Sequence, residues 1–254
     1  MPTSVIRGDH WPRRLQEWLD MPPADTAQWM EQHTQLLKSD AYSRVGLLRL
    51  QEELCCLKLY RQKSALQGWL FRRGRGRPVH CFDIAVQLRA AHVPVPQPRA
   101  CLLVPGGMLL LSEGLTDAVD LHKLWQSGQE KERCRRLLAG AGTTLARLHR
   151  AGFAHGDCKW RNLLWSGGQW RLVDLDAAGR APPGAGKQAR DLARFTLDAE
   201  EHGLEHGLYE HFLDTYLQGV AQSREDTIGR LLPPLRKLRA RHLARYGERG
   251  HRLL

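Results

Sequence analysis

Residues His155 to Trp165 read HGDCKWRNLLW, and Leu172 to Asp176 follow shortly as LVDLD. The first stretch places a His, an Asp, a Lys and an Asn within eight residues and then runs into an apolar segment. Transfer of a phosphoryl group needs a carboxylate to orient and deprotonate the attacking hydroxyl, oxygen ligands for Mg²⁺, and cations against the phosphates. Asp157 supplies the carboxylate, Lys159 a cation and Asn162 a hard oxygen ligand. Asp174, twelve residues beyond Asn162, offers a second ligand. The bland alternative is that Asp157 and Asn162 only cap turns, as these residue types often do.

The order HGDCKWRN then LVDLD resembles the catalytic loop H-R-D-x-K-x-x-N and the D-F-G segment of the protein-kinase-like superfamily. Within it the chain is most similar to the small bacterial lipopolysaccharide-core sugar kinases and related small-molecule phosphotransferases. LARLHRAGFAH (145–155) is similar to the helix leading into that loop, LCCLKLY (54–60) to the strand bearing a phosphate-binding lysine, and HVPVPQPR (92–99) to the turn after helix C. The likeness spans roughly residues 33 to 195. It implies ATP and Mg²⁺ as cofactors, Asp157 as catalytic base, Lys159 as a γ-phosphate contact, Asn162 and Asp174 as metal ligands with Asp176 beside them, and Lys58 on the α- and β-phosphates. It also implies that Asp191, in ARDLARF, braces the catalytic loop; an ordinary Asp in the first turn of a helix is the alternative.

Departures from the family pattern narrow the expectation. Gly156 replaces the arginine that would pair with a phosphorylated activation segment, so switching by loop phosphorylation is not expected. About ten residues, AAGRAPPGAG, separate Asp176 from the next helical run, and no A-P-E occurs. A segment that short suits a small-molecule or sugar hydroxyl better than a peptide. SDAYSR stands where a glycine-rich loop would be, leaving backbone amides with Ser39 and Ser43 to cover phosphate. Asp83 is the only carboxylate between Leu54 and Ser112, so an ion pair to Lys58 would fall to it. Glu113, in the hinge-like Glu113-Gly114, is assigned with Lys58, Asp83, Ser39 and Ser43 to the nucleotide site.

Working outward, β-type runs cover 33–38, 45–51, 54–60, 99–104 and 108–113, with one helix near Cys81 to Ala91. After Gly114 the periodicity turns helical, interrupted by the catalytic loop and a short strand expected over WRLVDLD. The expected fold is α+β and two-lobed: a helical extension over 1–32 built around Trp11, Leu15, Trp18, Leu19 and Trp29 and broken at Pro22 and Pro23, a lobe with an antiparallel sheet and one helix over 33–113, and a helical lobe over 114–254 ending in a basic helix.

Composition bounds the rest. A net charge of +11 suits an anionic partner. RRGRGR (72–77) and the segment from Arg230 onward suit acidic sugar phosphates or the anionic face of a membrane, or are simply solvated. Nucleic acid lacks support, because no stacking platform or binding motif occurs. The first residues show no signal-peptide pattern and no long apolar run appears, so a cytoplasmic, monomeric protein, peripheral at the inner face of the inner membrane, is expected. The six cysteines form no CxxC pair and read as reduced core thiols. HGLEH (202–206) matches an inverted zinc-protease motif, with His202 and His206 on one helical face but no third ligand. Trp160, Trp165 and Trp170 suit stacking on a sugar or, more commonly, core packing. PPGAGKQ and GAGTT lack the contexts that phosphate-binding glycine loops require. The expected activity is an ATP- and Mg²⁺-dependent kinase of a sugar or other small hydroxyl in the lipopolysaccharide core; the alternatives are a catalytically weak kinase-fold binding module and a zinc hydrolase.

Overall fold

The computed structural model describes residues 3–8, 25–50 and 52–254, which fall into two compact units. One comprises residues up to Arg89 together with Pro96–Thr116, the other Ala90–Val95 together with Asp117–Leu254.

The first unit is a six-stranded antiparallel sheet in the order β1-β5-β6-β4-β3-β2. Its strands are β1 (Ser4–Arg7), β2 (Gln35–Ser39), β3 (Ser43–Leu50), β4 (Glu53–Arg61), β5 (Pro98–Val104) and β6 (Gly107–Glu113). Period-two alternation in β4 sorts its side chains: Cys55, Leu57 and Leu59 enter one core, while Tyr60 enters the other. The first core is closed by helix α1 (Thr26–His33), whose Ala27 and Met30 are buried and whose N-cap, Asp25, accepts from Ala27 N. The second is closed by α2 (Ala65–Arg72) and α3 (Arg77–Ala90) through Phe71, Val79 and Cys81.

Two features of this unit depart from the sequence reading. Ser4–Arg7 is a strand on the sheet edge, paired with β5, where a helical extension was expected; β-branched Val5 and Ile6 suit an extended, half-buried backbone. Trp11, Leu15, Trp18, Leu19, Pro22 and Pro23 lie outside the described residues. Helix α2 falls between the expected strands and helix of this lobe; Ser64 caps it by accepting from Gln67 N, and Gln67 in turn accepts from Lys63 N.

The second unit is helical around α4 (Leu121–Gln126), α5 (Lys131–Arg150), α6 (Gly186–Glu201), α7 (His206–Val220) and α8 (Arg224–Tyr246). Short strands β7 (Val119–Asp120), β9 (Leu163–Ser166) and β10 (Gln169–Leu172) form one small sheet, and β8 (Phe153–Ala154) pairs with β11 (Gly179–Arg180). The strand expected over 170–176 stops at Leu172, because Asp174 takes a left-handed backbone (φ 61°, ψ 59°) that no ladder accommodates. Five of the six cysteines are buried and all six are free thiols.

Helices α5 and α7 pack closely at Gly142, where an added Cβ would stand 2.7 Å from the carbonyl oxygen of Phe212. Replacing Gly by Ala inside a helix ordinarily stabilises it by roughly 0.5–1 kcal/mol. Gly142→Ala is expected to do the reverse and lower the denaturant midpoint, since Phe212 O is backbone and cannot rotate away. A midpoint at or above wild type would show that the two helices have room to separate.

Candidate active site

The loop after α5 is fixed from below by one buried carboxylate. Asp191, on α6, accepts from His155 N at 2.5 Å through Oδ2 and from Gly156 N at 2.8 Å through Oδ1. Its third partner is His149 Nε2 at 3.3 Å, and His149 Nδ1 lies 2.8 Å from the hydroxyl of Tyr216. Asp191 and His149 are both buried, so each of these polar groups needs its partner. Burial pushes the Tyr216 phenol well above its ordinary range, which keeps it the donor to His149.

Gly156 is required by that arrangement. Its φ is +82°, and a Cβ there would stand 2.4 Å from Ala177 O. The absence of the arginine is thus steric as well as electrostatic, since the backbone of the segment after LVDLD occupies the space.

Above the brace, Asp157 presents its carboxylate between two cations: Lys159 Nζ lies 2.8 Å from Oδ2 and Arg194 Nε 3.2 Å from Oδ1. Asn162 closes the 3₁₀ turn Trp160–Asn162, and its Nδ2 donates to Asp157 O at 2.8 Å. This orients the amide with Oδ1 as the end that can face a cation. His155, fully buried, accepts from Asp157 N on Nδ1 (3.3 Å) and therefore carries its proton on Nε2, which donates to Val173 O at 2.9 Å. Val173 N donates back to Asn162 O at 3.0 Å. Asp157, Lys159 and Asn162 thus share one loop that is bonded to the residue before Asp174. Asp174 holds a left-handed conformation that costs a non-glycine residue about 1–3 kcal/mol and that concentrates at functional sites. Asp176 lies on the following turn, Leu175–Ala177. Among the described residues no three His, Cys, Asp or Glu side chains form a metal cluster. The expected set holds only two carboxylates and an amide, a number that suits Mg²⁺, which takes few protein ligands and completes its shell with phosphate and water.

The remaining expected site residues lie in the first unit. Lys58 is on β4 with its ammonium 4.9 Å from the Tyr60 ring centroid. Asp83 on α3 is held by a partner that the sequence reading did not name: Arg7, from β1, binds it through Nε at 2.9 Å and Nη2 at 3.4 Å. Glu113, at the end of β6, accepts from Gln97 N at 2.9 Å. The SDAYSR turn differs from expectation. Asp40 accepts from Tyr42 N at 2.8 Å and Ser43 N at 2.7 Å, and Ser43 Oγ also faces it, so these amides close an Asx turn around a carboxylate where phosphate cover was expected. Those amides and Lys38 hold the Asp40 carboxyl well below the usual range, so a negative charge sits in that turn. Ser39 stays in the ladder opposite Arg44.

The zinc motif is not formed as one helical face. Helix α6 ends at Glu201, Gly203 turns with φ +66°, and α7 starts at His206. His202 packs on His122 with nitrogens 2.7 Å apart, and His206 pairs with Glu210. Trp160 and Trp170 are core residues, Trp170 donating to Leu137 O, and Trp165 packs edge-on against Trp170.

Sequence reasoning missed two residues of α6. Arg194 reaches Asp157, and Asp198 accepts from Trp160 N at 2.8 Å, holding the turn that carries Asn162. The signal was present: 191, 194 and 198 follow the three-four spacing of one helix face, so the residue that braces the loop shares its face with two more polar groups. Burial, with the Glu201 charge adding to it, pushes the Asp198 carboxyl up to about 6, against the opposing pull of Trp160 N–H. An acid whose folded value is raised contributes stability below its unfolded value and loses it as pH rises through the folded value. Asp198→Asn keeps the acceptor oxygen and removes the titration. The variant should therefore gain stability relative to wild type as pH rises from about 4 to about 7, read by denaturant midpoints across that interval; parallel curves would place the proton elsewhere. Gly156→Ala is expected to destabilise by about 1–3 kcal/mol, because a left-handed position and a 2.4 Å approach to backbone leave no relaxation.

Comparison with curated protein sequences gave no match. Among solved structures, one described as "WaaP in complex with acyl carrier protein" is similar to 94% of this chain over 99% of its own, with a TM-score of 0.61 and 20% identity, a likeness of fold. A two-lobed kinase-like α+β architecture is thereby shown. The family model described as "Lipopolysaccharide kinase (Kdo/WaaP) family" matches residues 27–216, well over half of the molecule. With the braced loop in place beneath that match, the chain belongs to the lipopolysaccharide kinase (Kdo/WaaP) family.

Proposed function

We propose that this kinase transfers the γ-phosphoryl group of ATP, with Mg²⁺, to a sugar hydroxyl of the lipopolysaccharide core. The observation that carries the reading is the double tie between the loop and the segment before Asp174, His155 Nε2 to Val173 O and Val173 N to Asn162 O. Two segments that are eleven or more residues apart in sequence, each bearing an expected oxygen ligand, are held together by one side-chain and one backbone hydrogen bond.

In this reading Asp157 orients the acceptor hydroxyl and takes its proton, Arg194 fixes the direction of its carboxylate, and Lys159, 2.8 Å from that carboxylate, would contact the γ-phosphate. Asn162 and Asp174, with Asp176 beside them, would hold Mg²⁺, and Lys58 is the residue that the family resemblance assigns to the α- and β-phosphates. When bound, the Mg-nucleotide supplies the phosphoryl group and the metal charge that offsets the negative charge of the transferring oxygens. The residues' work is positioning and charge placement, the dominant contributions in this class of reaction.

A glycolipid acceptor would bring the chain to the inner membrane face, and no described helix is long and apolar enough to cross a membrane. The structural neighbour was solved with acyl carrier protein. A carrier protein of that kind is a second candidate partner for this chain.

Asp157→Asn and Asp174→Asn are each expected to cut phosphate transfer by about a hundredfold to ten-thousandfold, the range for removal of such a group. Asn tolerates the left-handed conformation that Asp174 occupies, so Asp174→Asn tests the carboxylate rather than the backbone. That variant should also weaken Mg-dependent nucleotide binding, whereas Asp157→Asn should leave it near wild type. Radiolabel transfer from γ-labelled ATP to purified lipopolysaccharide core, with nucleotide binding measured beside it, reads both. Nucleotide bound without transfer by the wild type, across a panel of core acceptors, would favour a binding module.

A further inference from the structure

The first unit carries a surface that the proposed chemistry does not use. Helix α2 buries Gly68 and Phe71 on one side. On the other, Leu66 is 68% and Trp69 45% exposed, three residues apart and therefore on one face. Arg73 continues that face at the next turn, its guanidinium 5.3 Å from the Trp69 ring centroid. Arg72, Arg73, Arg75 and Arg77 are all exposed, alternating in the turn with Gly74 (φ +63°) and Gly76 (φ +121°). No carboxylate occurs in the sequence between Glu53 and Asp83.

Such residues are costly to leave in water unless something covers them. An exposed Trp and Leu together lose hydration favourably only in an apolar or interfacial medium. Four arginines in six residues repel one another unless an anionic surface is near. We infer that α2 and the arginine turn after it form a docking surface for an anionic lipid bilayer, with Leu66 and Trp69 entering the headgroup layer and Arg72, Arg73, Arg75 and Arg77 facing the lipid phosphates. Trp is at home at that depth, where its ring is apolar and its N–H is hydrated, and clustered arginines strengthen such binding in proportion to anionic lipid. The two apolar side chains project from two turns of one helix as isolated anchors. A stable protein partner buries on the order of 1,000 Å² of complementary surface. A bilayer moulds itself to projecting anchors and needs no such match, which favours it over an acidic protein.

The inference builds on the reading of a membrane glycolipid as acceptor, but its test does not use the reaction. Purified protein is sedimented with vesicles of phosphatidylglycerol and phosphatidylethanolamine and, separately, of phosphatidylcholine alone. Wild type should pellet with the anionic vesicles, weakly with the neutral ones, and less as salt rises. Two variants, Leu66→Ser with Trp69→Ser, and Arg72→Gln with Arg73→Gln, Arg75→Gln and Arg77→Gln, should each lose at least tenfold in vesicle affinity. Because the altered residues are exposed, both should keep the wild-type melting temperature; should the first not, Trp69→Ala alone, expected to lose at least threefold, replaces it. Wild type that stays in the supernatant, or variants that pellet like wild type, would overturn the inference. Retention on an immobilised soluble acidic protein, lost in the arginine variant, without vesicle binding would assign the surface to a protein partner and also overturn it. Vesicle binding that survives in a protein inactive towards every core acceptor would sink the kinase reading and leave the surface standing.

Discussion

Two backbone N–H groups and one carboxylate hold the loop together. His155 N and Gly156 N both point inward, and without a partner each would carry the full cost of a buried unsatisfied donor, about 1–3 kcal/mol. Asp191 accepts both, and His149 with the Tyr216 hydroxyl completes its shell. Because these groups come from α5, α6, α7 and the loop itself, the helical packing and the loop conformation are one cooperative structure. The close approach at Gly142 serves the same end, bringing α7 and therefore Tyr216 near enough to α5 to reach His149.

With the first two amides fixed, the rest of the loop has little freedom. Asp198 takes the amide of Trp160, Asn162 takes Asp157 O, and His155 reaches across to Val173. The strained residue, Asp174, follows directly on this net. A left-handed Asp persists only where its neighbours over-determine it, and Val173 is held through both its N–H and its C=O. Lys159 and Arg194, one on each oxygen of Asp157, complete the set of contacts that fix this loop.

The first unit shows a different economy. Its sheet rests on two apolar faces, and its polar contacts are separate pairs rather than one net: Arg7 on Asp83, Asp40 on the amides of its own turn, Gln97 on Glu113. The Asx turn at Asp40 explains why no glycine-rich loop stands there. The side chain supplies the acceptor that closes a tight hairpin between β2 and β3, so the backbone need not adopt the positive φ that glycines permit.

The sequence by itself determined the elements whose signal is local. The β-type runs mark five of the six strands to within a few residues, the three-four periodicity marks α5, and the order of Asp157, Lys159, Asn162 and Asp174 pointed to the family that the match over residues 27–216 shows. It was silent wherever the deciding partner is remote. β1 is four residues long and is a strand only because β5 offers it an edge. The partner of Asp83 is 76 residues away in the chain, and Arg194 reaches Asp157 only once α6 is laid beneath the loop. HGLEH had the spacing of one helical face, but a glycine at positive φ and the packing of His202 on His122 broke it. Tertiary structure decided these because hydrogen bonds and ion pairs depend on distance in space, whereas hydrophobic periodicity depends only on spacing along the chain.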